Sequence, residues 1–377
     1  MSNWSFHNPV KLNAGQGSLK QLPQWLCSGT WLLVTTNGFT CRGMTCQVQK
    51  LLPSINLVIY DQVTPNPELD DLEKLTSYYR GQGVQGILAI GGGSVLDAAK
   101  VLSVSIPSHL PRPLIQILRE KQPQLWSKKI PLIAVPTTSG TGAEVTPFAT
   151  VWDRTQHKKY SVTGDMIFPD RAILDPELTL SLPEIETLYT GLDAVSHAIE
   201  SIWNINSNPI SRGLALQALE LTVNSLPQVL EDPFDLKARG AMQVASLLAG
   251  LAISQTRTAI AHSMSYPLTS HYGVPHGLAC SFTLPALIDH YLDSNVNCPE
   301  KKLLRCVQGM LKSFQLDAHI NKYVSRENIC SLSGEMYHPD RVGNYAGLIS
   351  AEVFKKIILS ATESRLALVK NAGEDLG

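Results

Sequence analysis

Apolar positions in the first half of the chain follow two alternating rhythms. Short β-branched and aliphatic runs, Trp31-Leu-Leu-Val-Thr35, Leu57-Val-Ile-Tyr60, Gly86-Ile-Leu-Ala-Ile90 and Leu132-Ile-Ala-Val135, predict strands. Between them, Glu68 to Arg80 and Val95 to Ser105 carry apolar residues at helical spacing. This alternation predicts a parallel sheet from residue 30 to about 180. Residues 147–175 read as β-hairpin and loop, with Ala172-Ile-Leu174 a last short strand, and the early Asn13-Ala-Gly15-Gln-Gly17 reads as loop.

After Pro183 strand signals nearly vanish. Ala/Leu-rich helical periodicity covers roughly 184–204, 209–228, 235–255, 257–268, 277–292 and 300–314. The expected fold is therefore α/β plus all-α, with a parallel-sheet domain over 1–183 and an all-helical domain over 184–377. Two cores suit 377 residues, since single cores stop growing near ~250–300 residues.

Composition narrows the function classes. A formal net charge of −1 leaves no basic footprint for nucleic acid and no polybasic stretch for anionic lipid. The longest apolar stretch, around Ala245–Ile253, falls short of the ~20 residues a bilayer span needs, so no membrane partner is expected. The N-terminus lacks a signal-peptide pattern. Seven cysteines, at 27, 41, 46, 280, 298, 306 and 330, form no CxxC pair and suit reduced thiols in a cytoplasmic protein.

The candidate chemistry lies in the helical half. Asp193 and His197 are four residues apart on a predicted helix, so both side chains leave one face. His262 and His276 follow in Ala261–Gly277. Three imidazoles and one carboxylate suit Fe²⁺, Zn²⁺, cobalt or nickel better than magnesium or calcium. Four protein ligands without a thiolate leave a position open for substrate, as a catalytic metal requires.

The sheet half offers a phosphate cradle. Gly91-Gly-Gly-Ser94 follows a predicted strand and opens a predicted helix, where free backbone N–H groups and the helix dipole receive a phosphate. Ser94 with Asp97 reads as a capping box. A second polar turn, Pro136-Thr-Thr-Ser-Gly-Thr-Gly142, follows the next strand, which places one crevice at the C-terminal edge of the sheet. The GxGxxG fingerprint after the first strand is absent.

Five motifs in order carry a resemblance: Gly91-Gly-Gly-Ser-Val-Leu-Asp-Ala-Ala-Lys100, Pro136-Thr-Thr-Ser-Gly-Thr-Gly-Ala-Glu-Val-Thr146, Asp175-Pro-Glu-Leu178, Gly191-Leu-Asp-Ala-Val-Ser-His-Ala-Ile-Glu200 and Pro275-His-Gly277. The chain, from about Phe6 to at least residue 290, resembles the iron-containing (group III) alcohol dehydrogenase family. The resemblance implies a Rossmann-like N-terminal domain and a helical C-terminal domain, in a dehydroquinate-synthase-like architecture that binds NAD(P) and Fe²⁺. It implies Asp193, His197, His262 and His276 as metal ligands. It assigns cofactor contacts to Asn66, Gly92, Gly93, Ser94, Thr137, Thr138, Thr146 and Lys159, with Asp97 near the nicotinamide. It also implies a homodimer paired through an N-terminal edge strand.

Two departures from the family pattern matter. Val34-Thr-Thr-Asn-Gly38 lacks the acidic residue that often binds the adenosine ribose, so NADP is admissible beside NAD, with Arg42 a distant candidate for its phosphate. Tyr266 stands where many members carry a further histidine, which leaves the proton-moving role to His271, a ribose hydroxyl or ordered water.

The implied reaction is hydride transfer between nicotinamide C4 and a small aldehyde polarised by the metal. Arg257, less than two turns before His262, is the candidate for an acidic substrate group; the plainer reading pairs it with Glu200. The run from Thr256 to His276 resembles the phosphonate-associated branch, whose members reduce phosphonoacetaldehyde to 2-hydroxyethylphosphonate. Other readings are glycerol-dehydrogenase-like polyol oxidation, a dehydroquinate-synthase-like lyase, or a non-catalytic nucleotide sensor.

Overall fold

A computed structural model describes residues 3–123, 126–156 and 158–362. Contacts divide the chain into two compact units. Among the described residues, one holds His7–Pro183 together with Pro233–Gln243; the other holds Glu184–Asp232 and residues 244–362, plus residues 3–6. The short stretch 233–243 thus groups with the sheet although it follows the change to helices.

The first unit contains β1 (Lys11–Ala14), β2 (Gly29–Val34), β3 (Ile55–Tyr60), β4 (Val84–Gly91), β5 (Leu132–Pro136), β6 (Phe148–Asp153), β7 (Lys158–Thr163) and β8 (Arg171–Leu174). Its α-helices are α1 (Asn37–Cys41), α2 (Met44–Leu51), α3 (Leu69–Tyr79) and α4 (Gly93–Ser105). Six strands form a parallel sheet in the order β1-β8-β5-β4-β2-β3, while β6 and β7 make a separate antiparallel pair. The predicted strands and helices recur within one to three residues. Helices α1 and α2 are not among the predicted elements, and the N-terminal segment read as loop holds a strand: Lys11–Ala14 pairs residue for residue with Arg171–Leu174. Its four residues are too short and too polar to show a strand pattern.

Side-chain alternation explains why these strands read as unbroken apolar runs. Leu32, Val34, Ile87, Ala89, Leu132 and Ala134 enter one core, with α3 and α4. Trp31, Leu33, Leu88, Ile90, Ile133 and Val135 enter the core on the opposite face. A sheet covered on both sides needs apolar residues at every position. Strand order reverses around β2, whose neighbours are β3 and β4, and ligands bind at the carboxyl ends of strands at such a switch.

The second unit is helical: α5 (Glu184–Ile202), α6 (Pro209–Glu231), α7 (Leu236–Thr256, from Val244), α8 (Ile260–Tyr272), α9 (His276–Ser281), α10 (Leu284–Ser294), α11 (Lys301–Ser313), α12 (Leu316–Ile320), α13 (Arg326–Ser331), α14 (Pro339–Val342) and α15 (Ala351–Ala361). Leu188, Leu192, Val195, Ile199 and Ile202 on α5, at helical spacing, sit in its core. The helix expected over 277–292 breaks at Phe282-Thr283, where Pro285 near the new N-terminus cannot continue the preceding helix. Among the described residues, no single helix is long and apolar enough to cross a membrane.

Candidate functional site

Helix α5 presents Asp193 and His197 one turn apart, both buried. Helix α8 supplies buried His262, and α9 opens with His276, which is exposed. α9 can lie this close to α5 because residue 277 is glycine: a Cβ there would stand 1.8 Å from the Tyr189 carbonyl oxygen. Ser281 Oγ donates to the Leu192 carbonyl at 2.9 Å and Ser196 Oγ to the Cys280 carbonyl at 3.2 Å, stitching the two helices together.

Three imidazole nitrogens converge on a single oxygen. His197 Nε2 lies 3.6 Å from Asp193 Oδ1, and His262 Nε2 and His276 Nε2 each 3.7 Å. The His197 and His262 rings stack at 4.9 Å, 13° from parallel. Zn–N and Zn–O bonds near 2.0–2.1 Å put tetrahedral donors about 3.4 Å apart, so these separations close on a cation with small adjustments. His262 Nε2 is buried and has no hydrogen-bond partner, which a metal bond would satisfy. The donor set therefore fits Fe²⁺ or Zn²⁺.

A fifth donor lies beside this set. Cys280 Sγ, one turn after His276, is 3.5 Å from Asp193 Oδ1, within a tight cluster of Asp193, His262, His276 and Cys280 that leaves His197 out. We favour His197 as the ligand. Burial and the adjacent Asp193 push the Cys280 thiol well up, so it is an S–H donor to the carboxylate rather than a thiolate.

Glu200 orients His262. Fully buried, it accepts from the backbone N–H groups of Ala259 (2.9 Å), Ala261 (2.6 Å) and His262 (3.1 Å), and from His262 Nδ1 at 2.7 Å. A proton held on Nδ1 leaves the Nε2 lone pair for the metal. Burial alone would raise the carboxyls of Asp193 and Glu200. The neighbouring histidines, led by His197 for Asp193 and His262 for Glu200, hold both below the ordinary carboxylate range.

In the sheet unit Gly92, Gly93 and Ser94 follow the end of β4, and Thr137 and Thr138 the end of β5. Thr137 N–H donates to the Gly91 carbonyl at 3.0 Å, and Asn66 N–H donates to Ser94 Oγ at 3.3 Å. A Cβ on Gly92 would meet Thr138 at 3.2 Å, and one on Gly93 would meet Thr141 Cγ2 at 2.6 Å, so glycine keeps this edge open. Beneath it, buried Lys100 donates to Thr146 Oγ1 and the Phe148 carbonyl, each at 3.0 Å. Lys159, on β7, lies over the Trp152 ring.

The structure corrects several expectations. Ser94 and Asp97 do not form a capping box: Gly92 is the N-cap, Ser94 bonds Asn66, and Asp97 Oδ2 accepts from Thr150 N–H at 2.9 Å. His271 is exposed near the end of α8, about 13 Å along the axis from His262 at ~1.5 Å per residue, and pairs with exposed Glu335. That takes it away from His262. Arg257 is exposed, with φ +63° in the break between α7 and α8, so no burial demands an anion there, and Glu200 serves His262 instead. Arg42 is exposed at the end of α1.

Reading the sequence alone misses Glu200 as the partner of His262, although its place three residues after His197 puts it on the ligand-bearing side of α5. It also misses Cys280, four residues after His276.

Comparison with known proteins gives a consistent picture. Residues 9–176 match the family model "Iron-containing alcohol dehydrogenase", and residues 187–368 match "Fe-containing alcohol dehydrogenase family, C-terminal". The chain is 30% identical over 304 residues to alcohol dehydrogenase 4 of Saccharomyces cerevisiae, covering 79% of this chain and 77% of that one. It is 34% identical over 272 residues to sulfoacetaldehyde reductase of Bilophila wadsworthia, covering 71% and 68%. The crystal structure of an iron-containing alcohol dehydrogenase from Thermotoga maritima superposes with a TM-score of 0.81 at 30% identity, covering 96% and 99%. That of sulfoacetaldehyde reductase from Bifidobacterium kashiwanohense in complex with NAD⁺ gives 0.84 at 26%, covering 97% and 100%.

Proposed function

Since the chain belongs to the iron-containing alcohol dehydrogenase family, oxidoreductases acting on CH–OH groups with NAD, we propose that it reduces a short aldehyde bearing an acid group, such as phosphonoacetaldehyde. The observation that carries the chemistry is the convergence of three imidazole Nε2 atoms on Asp193 Oδ1. The sulfoacetaldehyde reductases among the relatives support an acid-bearing substrate.

Asp193, His197, His262 and His276 would hold Fe²⁺ or Zn²⁺, which when bound supplies Lewis-acid polarisation of a carbonyl. Gly92, Gly93, Ser94, Thr137 and Thr138 would hold NAD or NADP, which supplies the hydride. The chain's own contribution is placement. Glu200 fixes the tautomer and ring plane of His262, and Gly277 sets His276 beside Asp193. The open glycine edge of α4 offers backbone N–H groups to a pyrophosphate. A homodimer formed through the free edge of β1 belongs to the same reading.

Stripped enzyme reloaded with iron or zinc tests this against phosphonoacetaldehyde, sulfoacetaldehyde, propanal and lactaldehyde, with NADH and NADPH. Loss of nicotinamide absorbance with the acid-bearing aldehydes turned over more efficiently is the expected result. Equal kcat/KM across charged and neutral aldehydes removes the acid-bearing substrate. No net nicotinamide oxidation with any aldehyde removes the reductase reading and points to the lyase alternative, which the relatives do not favour.

A further inference from the structure

Beyond α13 the chain returns to α8 and is tied down beside His262. Ser263 Oγ donates to the Met336 carbonyl at 2.6 Å and accepts from His338 N–H at 2.9 Å. Asn344 Nδ2 donates to the Thr258 carbonyl at 2.8 Å. Between these clamps lies α14, whose Arg341 donates from Nη1 to the carbonyl oxygen of His262 at 3.3 Å. The guanidinium is therefore anchored on the turn of α8 that carries a metal ligand. Its field is shared with Glu200 and with Tyr266, which lies one turn after His262 on the same face of α8.

Arg341 differs from Arg119 and Arg212, two other partly buried arginines that do meet carboxylates, and from Arg239 and Arg80, which lie on the Pro233 carbonyl and on the Pro111 and Ser105 carbonyls, in being bonded to the helix turn of a candidate metal ligand. Arg119 is held by Asp70 and Asp153, and Arg212 by Glu300. Among the described residues no carboxylate forms an ion pair with Arg341, and its one side-chain hydrogen bond goes to a neutral carbonyl. Glu200, the acid that acts on it electrostatically, is already committed to His262 and three backbone N–H groups. With a divalent cation bound, Asp193 and Glu200 balance the metal, and the guanidinium is left as the uncompensated charge. A half-buried arginine is costly unless an anion meets it, and its planar fork matches two oxygens of an acid group.

We propose that Arg341 is the specificity-determining residue of this site, receiving the sulfonate, phosphonate or carboxylate of the substrate through the guanidinium edge not used on His262. The role first read for Arg257 passes to a residue 84 positions further along, because Arg257 points to solvent and Arg341 is fixed to the ligand helix. This inference rests on the aldehyde-reductase reading above for its substrate, but not for its charge preference.

Two measurements on metal-loaded protein separate the two ideas. The first is calorimetric binding of ethanesulfonate and ethylphosphonate, unreactive probes, to wild type, Arg341→Gln and Arg341→Lys. Wild type should bind them, Arg341→Gln about 10–100-fold more weakly, and Arg341→Lys in between, since lysine keeps the charge but not the fork. The second is the ratio of kcat/KM for sulfoacetaldehyde over propanal, which should fall about 10–100-fold in Arg341→Gln through the KM for the charged substrate. Equal probe binding by wild type and Arg341→Gln overturns the proposal, as does a ratio that does not move. Arg341-dependent probe binding without turnover of any aldehyde supports it while sinking the reductase reading. Arg341→Lys, which retains a donor for the His262 carbonyl, guards against a folding artefact.

Discussion

Replacing Glu200 with glutamine probes how the protein prepares His262 for a metal. The carboxylate accepts four hydrogen bonds: Oε2 from Ala259 N–H and His262 Nδ1, and Oε1 from the Ala261 and His262 N–H groups. A glutamine has one accepting oxygen, so whichever way its amide is turned, its NH₂ faces two donors. Each buried donor left without an acceptor costs ~1–3 kcal/mol, so Glu200→Gln should destabilise the metal-free protein by about 2–6 kcal/mol. One escape exists. His262 can move its proton from Nδ1 to Nε2 and accept from the amide, but Nε2–H then points at Asp193 Oδ1 and cannot ligate a metal. Stability is then partly recovered at the expense of metal affinity, which should fall ~10–100-fold, the usual effect of losing such an outer partner. Urea unfolding of apoprotein followed by circular dichroism measures the first quantity, and competition against a chromophoric chelator the second. A Glu200→Gln protein unchanged in both would refute the reasoning.

Other outcomes follow from the same geometry. In Gly277→Ala the new methyl meets the backbone Tyr189 oxygen, which cannot step aside, so α9 must leave α5; helix content should persist while metal affinity drops at least tenfold by equilibrium dialysis. Gly93→Ala brings a methyl against Thr141 in the nucleotide edge; KM for the nicotinamide cofactor should rise about tenfold with metal content unchanged, and an unaltered KM would count against that edge as the phosphate cradle. Burial raises the carboxyl of Glu144 from 4.5 to about 7, so the folded state keeps a proton that the unfolded chain has released. Stability from this group is thus full below the unfolded value and lost as pH rises through about 7, by up to ~3 kcal/mol. Glu144→Gln should flatten the Tm profile between pH 4.5 and 7, and parallel profiles would contradict it.

Much of this was legible in the chain because burial on both faces and helical spacing leave strong patterns. Strands β2, β4 and β5 show as apolar runs, and Asp193 and His197 lie on one helix face at a spacing that is meaningful without tertiary information. What escaped depends on contacts between distant segments. β1 is four mostly exposed residues defined by pairing with β8 across the sheet. Ser94 looked like a cap because the local spacing allows it, yet Asn66 and Thr150, from other segments, engage Ser94 and Asp97. Arg257 and His271 are near the ligand candidates in sequence, yet a left-handed break leaves one exposed, and helix rise carries the other away from His262 to an exposed pair with Glu335. Arg341 is the reverse case, remote in sequence and bonded to the His262 carbonyl.

Metal stoichiometry in His262→Ala, alongside wild type, tests the central claim most directly. The ring deleted is buried, carries the unpartnered Nε2, and faces Asp193 Oδ1 at 3.7 Å. The account predicts one Fe²⁺ or Zn²⁺ per wild-type chain, aldehyde reduction abolished by chelation and restored by reloading, and little metal in the variant. Wild-type turnover that survives complete chelation, or a variant that retains a full complement of metal, would contradict it.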